Sequence, residues 1–206
     1  MSGYLRSQDV SVWLAAKPYL DVRNNDEHTL ISYRIAQALL RETPEADVDV
    51  VLPGIILHDV GWKRVPEDKL TRAVGPKPEF PELVPLHEVE GVAIARTELT
   101  KLKYGESQID KIVAVIDGHD TTKNKRSAED AVLKDADKLW RFSPHGVEKL
   151  CLWFSNTPME INAILRNMVM PLLLTPTGRV MGETLLATAE ANATLDELMA
   201  LRGHAK

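Results

Sequence analysis

The sequence predicts an all-α protein folded as a single-domain helical bundle. Three observations carry this. Apolar residues recur at intervals of three and four through most of the chain, the period of one face of an α-helix. Aromatic residues make up only 5%, and few segments alternate apolar with polar residues, so strand signals are weak. Proline and glycine fall mostly between the periodic segments. With 206 residues, 44% of them hydrophobic, the chain can bury a real core and fits one domain. Its 25 basic and 30 acidic residues give a net charge of -5. Such a chain is a poor general binder of nucleic acid or anionic membranes. One cysteine, Cys151, builds neither a disulfide framework nor a thiolate-rich zinc site. That composition fits a reducing cytosol, so a cytoplasmic location is expected. The N-terminus lacks the apolar stretch of a signal peptide, and the longest apolar runs, LPGIIL and VMPLLL, are too short to cross a bilayer.

The elements follow from punctuation and period. A first helix is expected over 7–20. A second starts near Asn25 or Asp26, either of which can cap it, and runs to Arg41 with the stripe Ile31, Ile35, Leu39. Pro44 interrupts the chain, and a third helix covers 45–59, closed by Gly61 as a left-handed terminator. Residues 63–85 carry five prolines and Gly75. They read as a long irregular loop with room for a short helical piece, the kind of segment that serves as a lid or binding loop. Helices are then expected over 86–104, with Val92, Ala95, Leu99 and Leu102 on one face, and over 106–119, with Ile109, Ile112, Val113 and Ile116. Ser127 caps a helix over 128–142. Pro144 opens one to Phe154, Pro158 opens one to Leu174, and a last helix of roughly twenty residues follows Gly178. No repeat or low-complexity tract is present.

The ionisable residues lie on the wrong faces for solvent. His28 extends the stripe of Ile31 and Ile35. His58 follows Val51 and Ile55, and His119 follows Ile112 and Ile116, each at intervals of four and three. His87 lines up with Gly91 and Ile94, and Asp137 lies between Leu133 and Trp140. Residues so spaced share a helix face. Four of the six histidines and one aspartate therefore point inward from five helices, and Asp59 adds a carboxylate beside His58. One buried histidine is ordinary. Several, with carboxylates that need partners when buried, make a metal site in a helical bundle natural. Nitrogen and oxygen donors without thiolate suit Fe, Mn, Co, Ni or Zn.

In order, His28, the pair His58-Asp59 inside LHDVGW, and Asp137 inside DADKLW resemble the H…HD…D signature of the HD-domain metal-dependent phosphohydrolase superfamily. His87 in LHEVEG and His119 in IDGHD resemble the additional ligands of its two-metal branch. The resemblance spans about residues 20–142. Residues 144–203 match nothing assignable, and either complete the bundle or form an oligomer interface. It implies an all-helical fold in which His28, His58, Asp59 and Asp137 hold a first divalent transition metal and His87 and His119 a second, with Asp59 bridging. Asp137 takes the ligand role because it precedes the lysine, leaving Asp135 to support or cap. The cyclic-dinucleotide branch usually reads HDIGK and carries a GYP motif. This chain reads HDVGWK and HEVEG, which argues against cyclic di-GMP as substrate. The lack of an adjoining regulatory domain argues against a stringent-response enzyme.

The implied reaction is hydrolysis of a phosphate ester, of a nucleotide or small phosphometabolite, by metal-activated water. Asp120, beside His119, is a candidate proton acceptor or supporting partner. Phosphate calls for cations: Lys138 and Arg141 flank Asp137, Lys63 and Arg64 follow the HD pair at the mouth of the proline-rich loop, and Arg23 precedes His28. Trp62 fits a core role better than stacking on a base. Trp13, Trp140, Trp153 and Cys151 read as core. His145 and His204, near a helix start and the chain end, stay outside the site. No dinucleotide or P-loop motif is present. The same ligand set occurs in a smaller di-iron oxygenase branch of the superfamily, and a non-catalytic ligand-binding protein is the third reading. Partners beyond a small phosphate substrate are confined to a second copy, since acidic helical domains of this size often pair.

Overall fold

The computed structural model describes residues 3–203. His204 lies outside the described residues. Helix makes up 73% of the structure, and no strand occurs among the described residues. The first expected helix is split: a 3₁₀ turn Ser7–Asp9, α1 (Val10–Ala16) and a second 3₁₀ turn Lys17–Tyr19. Then come α2 (Asn25–Arg41), α3 (Val48–Leu57), 3₁₀ turns Val60–Arg64, Glu67–Lys69 and Thr71–Ala73, α4 (Leu83–Lys101), α5 (Glu106–Ile116) and α6 (Ala128–Trp140). The C-terminal part comprises α7 (Pro144–Phe154), α8 (Pro158–Ile164), a π turn Leu165–Val169, a 3₁₀ turn Met170–Leu172 and α9 (Pro176–Gly203).

Local chemistry sets these bounds. Asp47 caps α3 through the Asp49 N–H, Ser127 caps α6 through Asp130 N–H, and Ser143 and Thr157 cap α7 and α8 ahead of prolines in their first turns. The cap of α2 is Asn24, not Asn25 or Asp26. Its backbone is left-handed, with no capping side chain. Pro53 sits inside α3 and has no N–H for the Asp49 carbonyl. The Gln108 side chain, from α5, donates to that carbonyl at 2.7 Å and so satisfies it from outside the helix.

The main core is a cluster to which every α-helix from α1 to α9 contributes, and Trp62, Val65, Leu70 and Ala73 form a smaller second cluster. α2 packs on α6 and α3, α3 on α5, and α4 on α5 and the turn Val60–Arg64. The buried line of α2 is not Ile31–Ile35–Leu39: it runs through His28, Ser32, Ala36 and Leu39, with Tyr33 beside it. Small Ser32 and Ala36 suit the face α2 turns to the core, while Ile31 and Ile35 stay half-buried at its edge. Gly61 does not terminate a helix in left-handed backbone. Its φ is not positive, and its missing side chain instead lets its turn lie directly on α4, where an added Cβ would meet His87 O and Gly91 N. The C-terminal helices are latched to α6. Buried Asp135 accepts from Leu174 N at 2.7 Å, Thr175 N at 2.8 Å and the Thr175 hydroxyl at 2.7 Å. No described helix is long and apolar enough to cross a membrane.

Candidate metal centre

Five segments deliver the cluster. His28 comes from α2, His58 and Asp59 from the end of α3, His87 from α4, His119 and Asp120 from the turn after α5, and Asp137 from α6. His119 does not ride on a helix as its spacing suggested. α5 stops at Ile116, and Gly118, at a φ of 66°, turns the chain so that His119 still faces inward. All four histidines are 5% exposed or less.

The ring nitrogens converge in two pairs. His28 Nε2 lies 2.9 Å from His58 Nε2, and His87 Nε2 lies 3.3 Å from His119 Nε2. The Nδ1 of His58 is 2.8 Å from the Ile55 carbonyl, and that of His119 is 2.7 Å from the Ile116 carbonyl. A carbonyl only accepts, so each Nδ1 carries a proton and, on a neutral ring, each Nε2 presents a lone pair. Asp59 faces both pairs. Its Oδ2 is 3.5 Å from His28 Nε2, and its Oδ1 is 3.6 Å from the Nε2 of His58, His87 and His119. Asp137 Oδ1 is 3.4 Å from His28 and 3.7 Å from His58. Asp120 Oδ2 stands 3.8 Å from His119 and 4.0 Å from His87.

Lone pairs and carboxylates crowded in a buried space need a cation. Ligand atoms held 2.0–2.1 Å from one ion lie about 2.9 Å apart at right angles and about 3.4 Å apart in a tetrahedron, the spacing of the two histidine pairs. Three overlapping sets could hold an ion: His28, His58 and Asp137; His58, Asp59 and His119; His87, His119 and Asp120. The donor set therefore fits one or two divalent ions. Sulfur is absent from it, which leaves the choice among the transition metals open.

Electrostatics follow from burial. Desolvation pushes His28 and His87 down to about 4, while Asp59 and other neighbours only partly offset it. Burial acts the same way on His119, but its hydrogen bond to Asp59 and the charge of Asp120 outweigh it and hold it up at about 9. Burial would raise Asp59. His58, the hydrogen bond with His119, and His28 instead hold it well below the usual carboxylate range. The metal-free protein is therefore expected to lose stability as pH falls from about 6.5 to about 4. In that window the unfolded chain protonates His28 and His87 while the folded chain resists. His119 is protonated throughout that window in the folded chain but titrates with the other histidines in the unfolded one, so it offsets part of the effect, one residue against two, while Asp59 titrates lower. Urea midpoints of metal-stripped protein at pH 7 and pH 5 check this. Equal midpoints would refute it.

Packing around the cluster is aromatic. Trp62 is 1% exposed, stacks on His87 with centroids 4.1 Å apart, and donates its indole N–H to Asp59 Oδ1 at 3.1 Å. Its other neighbour is the Arg23 guanidinium, 4.6 Å from the ring, so no face remains for a base. Trp140 meets His28 edge-on and donates to His145, which pairs with Glu27. His145 thus lies behind the cluster. Glu88 had no periodic signal beyond its place after His87. It is buried and accepts from Asp120 N, Thr121 N and the Thr121 hydroxyl, pinning the turn that carries His119.

The cluster opens into a cavity of about 320 Å³. Arg23, Lys138 and Arg141 line it, with Asp59, Asp120 and Asp137. Arg141 is engaged with Asp137 at 3.4 Å and Asp120 at 3.8 Å, and Lys138 donates to His119 O at 3.3 Å. Arg23 is different. It sits in left-handed backbone at φ 55°, between Trp62 and Trp153, and its Nε and Nη1 are buried without a hydrogen-bond partner. Lys63 and Arg64 do not line the cavity. Their 3₁₀ turn leaves both exposed, and Lys63 pairs with Asp21. Trp153, read from spacing as core, lies on the cavity wall, as do Ala73, Val74 and Gly75 of the proline-rich segment.

The HD domain family model matches residues 25–141, more than half of the chain. Two solved structures are similar in fold. Bacillus subtilis YpgQ, in complex with ADP, is 15% identical with a TM-score of 0.58, covering 95% of this chain and 96% of its own. A structural-genomics target from Lactobacillus plantarum is 16% identical with a TM-score of 0.61, covering 97% and 99%. No curated protein matches. The matched segment carries every histidine and aspartate of the cluster, and its family consists mostly of metal-dependent hydrolases. The chain belongs to the HD-domain family.

Proposed function

We propose that the protein is a metal-dependent phosphohydrolase that cleaves the phosphate ester of a nucleotide or other small metabolite. The observation that carries this is the meeting of two histidine Nε2 pairs around Asp59 at the end of a cavity lined by guanidinium groups. In this reading His28, His58, Asp59 and Asp137 hold one divalent ion, and His87 and His119, with Asp59 shared, hold another. Bound metal would supply Lewis acidity toward a phosphoryl oxygen and a water of lowered pKa. The protein's own groups do the rest. Arg23 receives the phosphate through its two unpartnered donors, and Arg141 and Lys138 set the positive end of the cavity. Asp120, 3.8 Å from His119 and beside Arg141, either completes the second metal set or accepts the proton that water gives up. The ADP held by YpgQ supports a phosphate-bearing ligand in this fold.

Elemental analysis of the purified protein, followed by a phosphate-release screen on nucleotides and phosphomonoesters, tests the proposal. One or two equivalents of Mn, Co, Ni or Zn with turnover is the expected result. Two equivalents of iron with substrate-dependent O₂ uptake would move the protein to the di-iron oxygenase branch. No metal under any loading condition would return the histidines to the core. Arg23→Gln is expected to raise the KM of a phosphate substrate about tenfold to a hundredfold, the loss of a charged hydrogen bond. An unchanged KM would remove Arg23 from the anion site.

A further inference from the structure

The cavity has two chemically different ends. All its charged side chains gather at the cluster: Arg23, Lys138 and Arg141 with His28 and the three aspartates. Among the described residues the rest of the wall contains no Ser, Thr, Asn, Gln or Tyr and no further charge, and its side-chain donors are the indole N–H groups of Trp140, given to His145, and of Trp153. It is built by α7, α8, the π turn, the 3₁₀ turn Met170–Leu172 and the proline-rich segment, through residues such as Val74, Phe154, Ile161, Leu165, Met168 and Leu172. A ribose or a base edge placed there would give up water hydrogen bonds with no side-chain hydroxyl or amide to replace them. That costs roughly fivefold to a hundredfold in affinity per stranded group. An apolar body loses nothing of the kind and gains from leaving water. The π turn interrupts regular helix at this wall, where Leu165, Met168 and Val169 line the cavity. Such turns are rare and frequent at functional sites.

We propose that the substrate is the phosphate monoester of an apolar alcohol, aliphatic or aromatic. Its phosphate sits against Arg23 and the metal cluster, and its hydroxyl-free body lies along α7 and α8. The assignment rests on the hydrolase reading. The reaction forms a P–O bond to the oxygen of water and breaks the ester P–O bond. The departing alcohol takes one proton from water, and the other stays with the phosphate.

The test compares methyl, butyl, hexyl and octyl phosphate, phenyl phosphate and nucleoside 5′-monophosphates with the manganese-loaded protein. Binding of the matching alkylphosphonates, which carry no ester bond, is measured in parallel by calorimetry. The expected kcat/KM rises two- to fourfold per methylene until the cavity is filled, fourfold being the full transfer of a CH₂. Phosphonate binding follows the same series, with a heat-capacity change that grows more negative with chain length. Met168→Gln, at a side chain 48% exposed and so tolerant of change, lowers the octyl-to-methyl ratio at least fivefold. Turnover that ignores chain length, or that favours nucleotides, overturns the apolar assignment and leaves the hydrolase intact. Phosphonate binding that climbs with chain length, without hydrolysis of any ester, overturns the hydrolase and keeps the apolar ligand. An unchanged ratio in Met168→Gln counts against the wall described here.

Discussion

Asp59→Asn is expected to lower phosphate release at least about a thousandfold and to abolish stabilisation by added metal. Asp59 is the one residue of the cluster whose side chain faces both histidine pairs, with Oδ2 toward His28 and Oδ1 toward His58, His87 and His119. Asparagine keeps the shape but removes the negative charge and turns one ligand oxygen into an N–H donor aimed at lone pairs. Changes to groups that merely support a ligand typically cost ten- to a hundredfold in metal affinity or activity, so loss of a shared ligand costs more. Metal at a hundred times its Kd adds about 2.7 kcal/mol to a folded protein. For a chain of this size that raises Tm by roughly 5–11 °C. Wild type should show that rise on titration with manganese or zinc, and Asp59→Asn should show almost none. A variant that retains two equivalents and the full rise would show that Asp59 is not shared.

How much of this was legible in the sequence depends on the residue. His28, His58, His87 and Asp137 could be placed inward because each lies at helical spacing from apolar residues of its own helix, and helix period survives small errors of boundary, although α3 and α6 are buried nearly all round. His28 was placed by a stripe that proved displaced. The buried line runs through Ser32 and Ala36, which a count of large apolar residues passes over. His119 kept its inward face for another reason than the one its spacing offered, since the turn at Gly118 stands in for the last turn of a helix. Lys63 and Arg64 were expected at the cavity because they follow the HD pair. In a 3₁₀ turn successive side chains fan out at three per turn, and proximity in sequence did not carry over to the cavity. The apolar wall was beyond reach. Trp153 and Phe154 have the spacing of core residues, and it takes the tertiary packing of Ile161, Leu165 and Leu173, with the latch between Asp135 and the segment at Leu174–Thr175, to bring α8 and the π turn across the opening.

Gly61 gives the clearest case of a residue correctly singled out for the wrong cause, and it carries the second large effect. Read as a helix terminator, it could be exchanged for asparagine at little cost. The structure assigns it a different task. A Cβ at this position would lie within contact-forbidden distance of His87 O and Gly91 N, both main-chain atoms of α4. Main chain cannot rotate aside, so the turn Val60–Arg64 must back away from α4 or the helix must bend. The same turn carries Trp62, whose stacking on His87 and hydrogen bond to Asp59 hold two members of the cluster. Gly61→Ala should therefore cost about 3 kcal/mol or more, at the upper end for an overpacked interior, and Gly61→Val should fail to fold. Asparagine should be no better than alanine, which separates close approach from a left-handed backbone. Gly105→Ala supplies the control: an added Cβ there meets nothing within 4 Å, and the change should stay within about 1 kcal/mol. Urea unfolding of the Ala variants, followed by circular dichroism and by the summed emission of the four tryptophans, measures both. If Gly61→Ala proved as mild as Gly105→Ala, the contact between this turn and α4 would be looser than described. His87 would then owe its position to something other than the glycine beneath it.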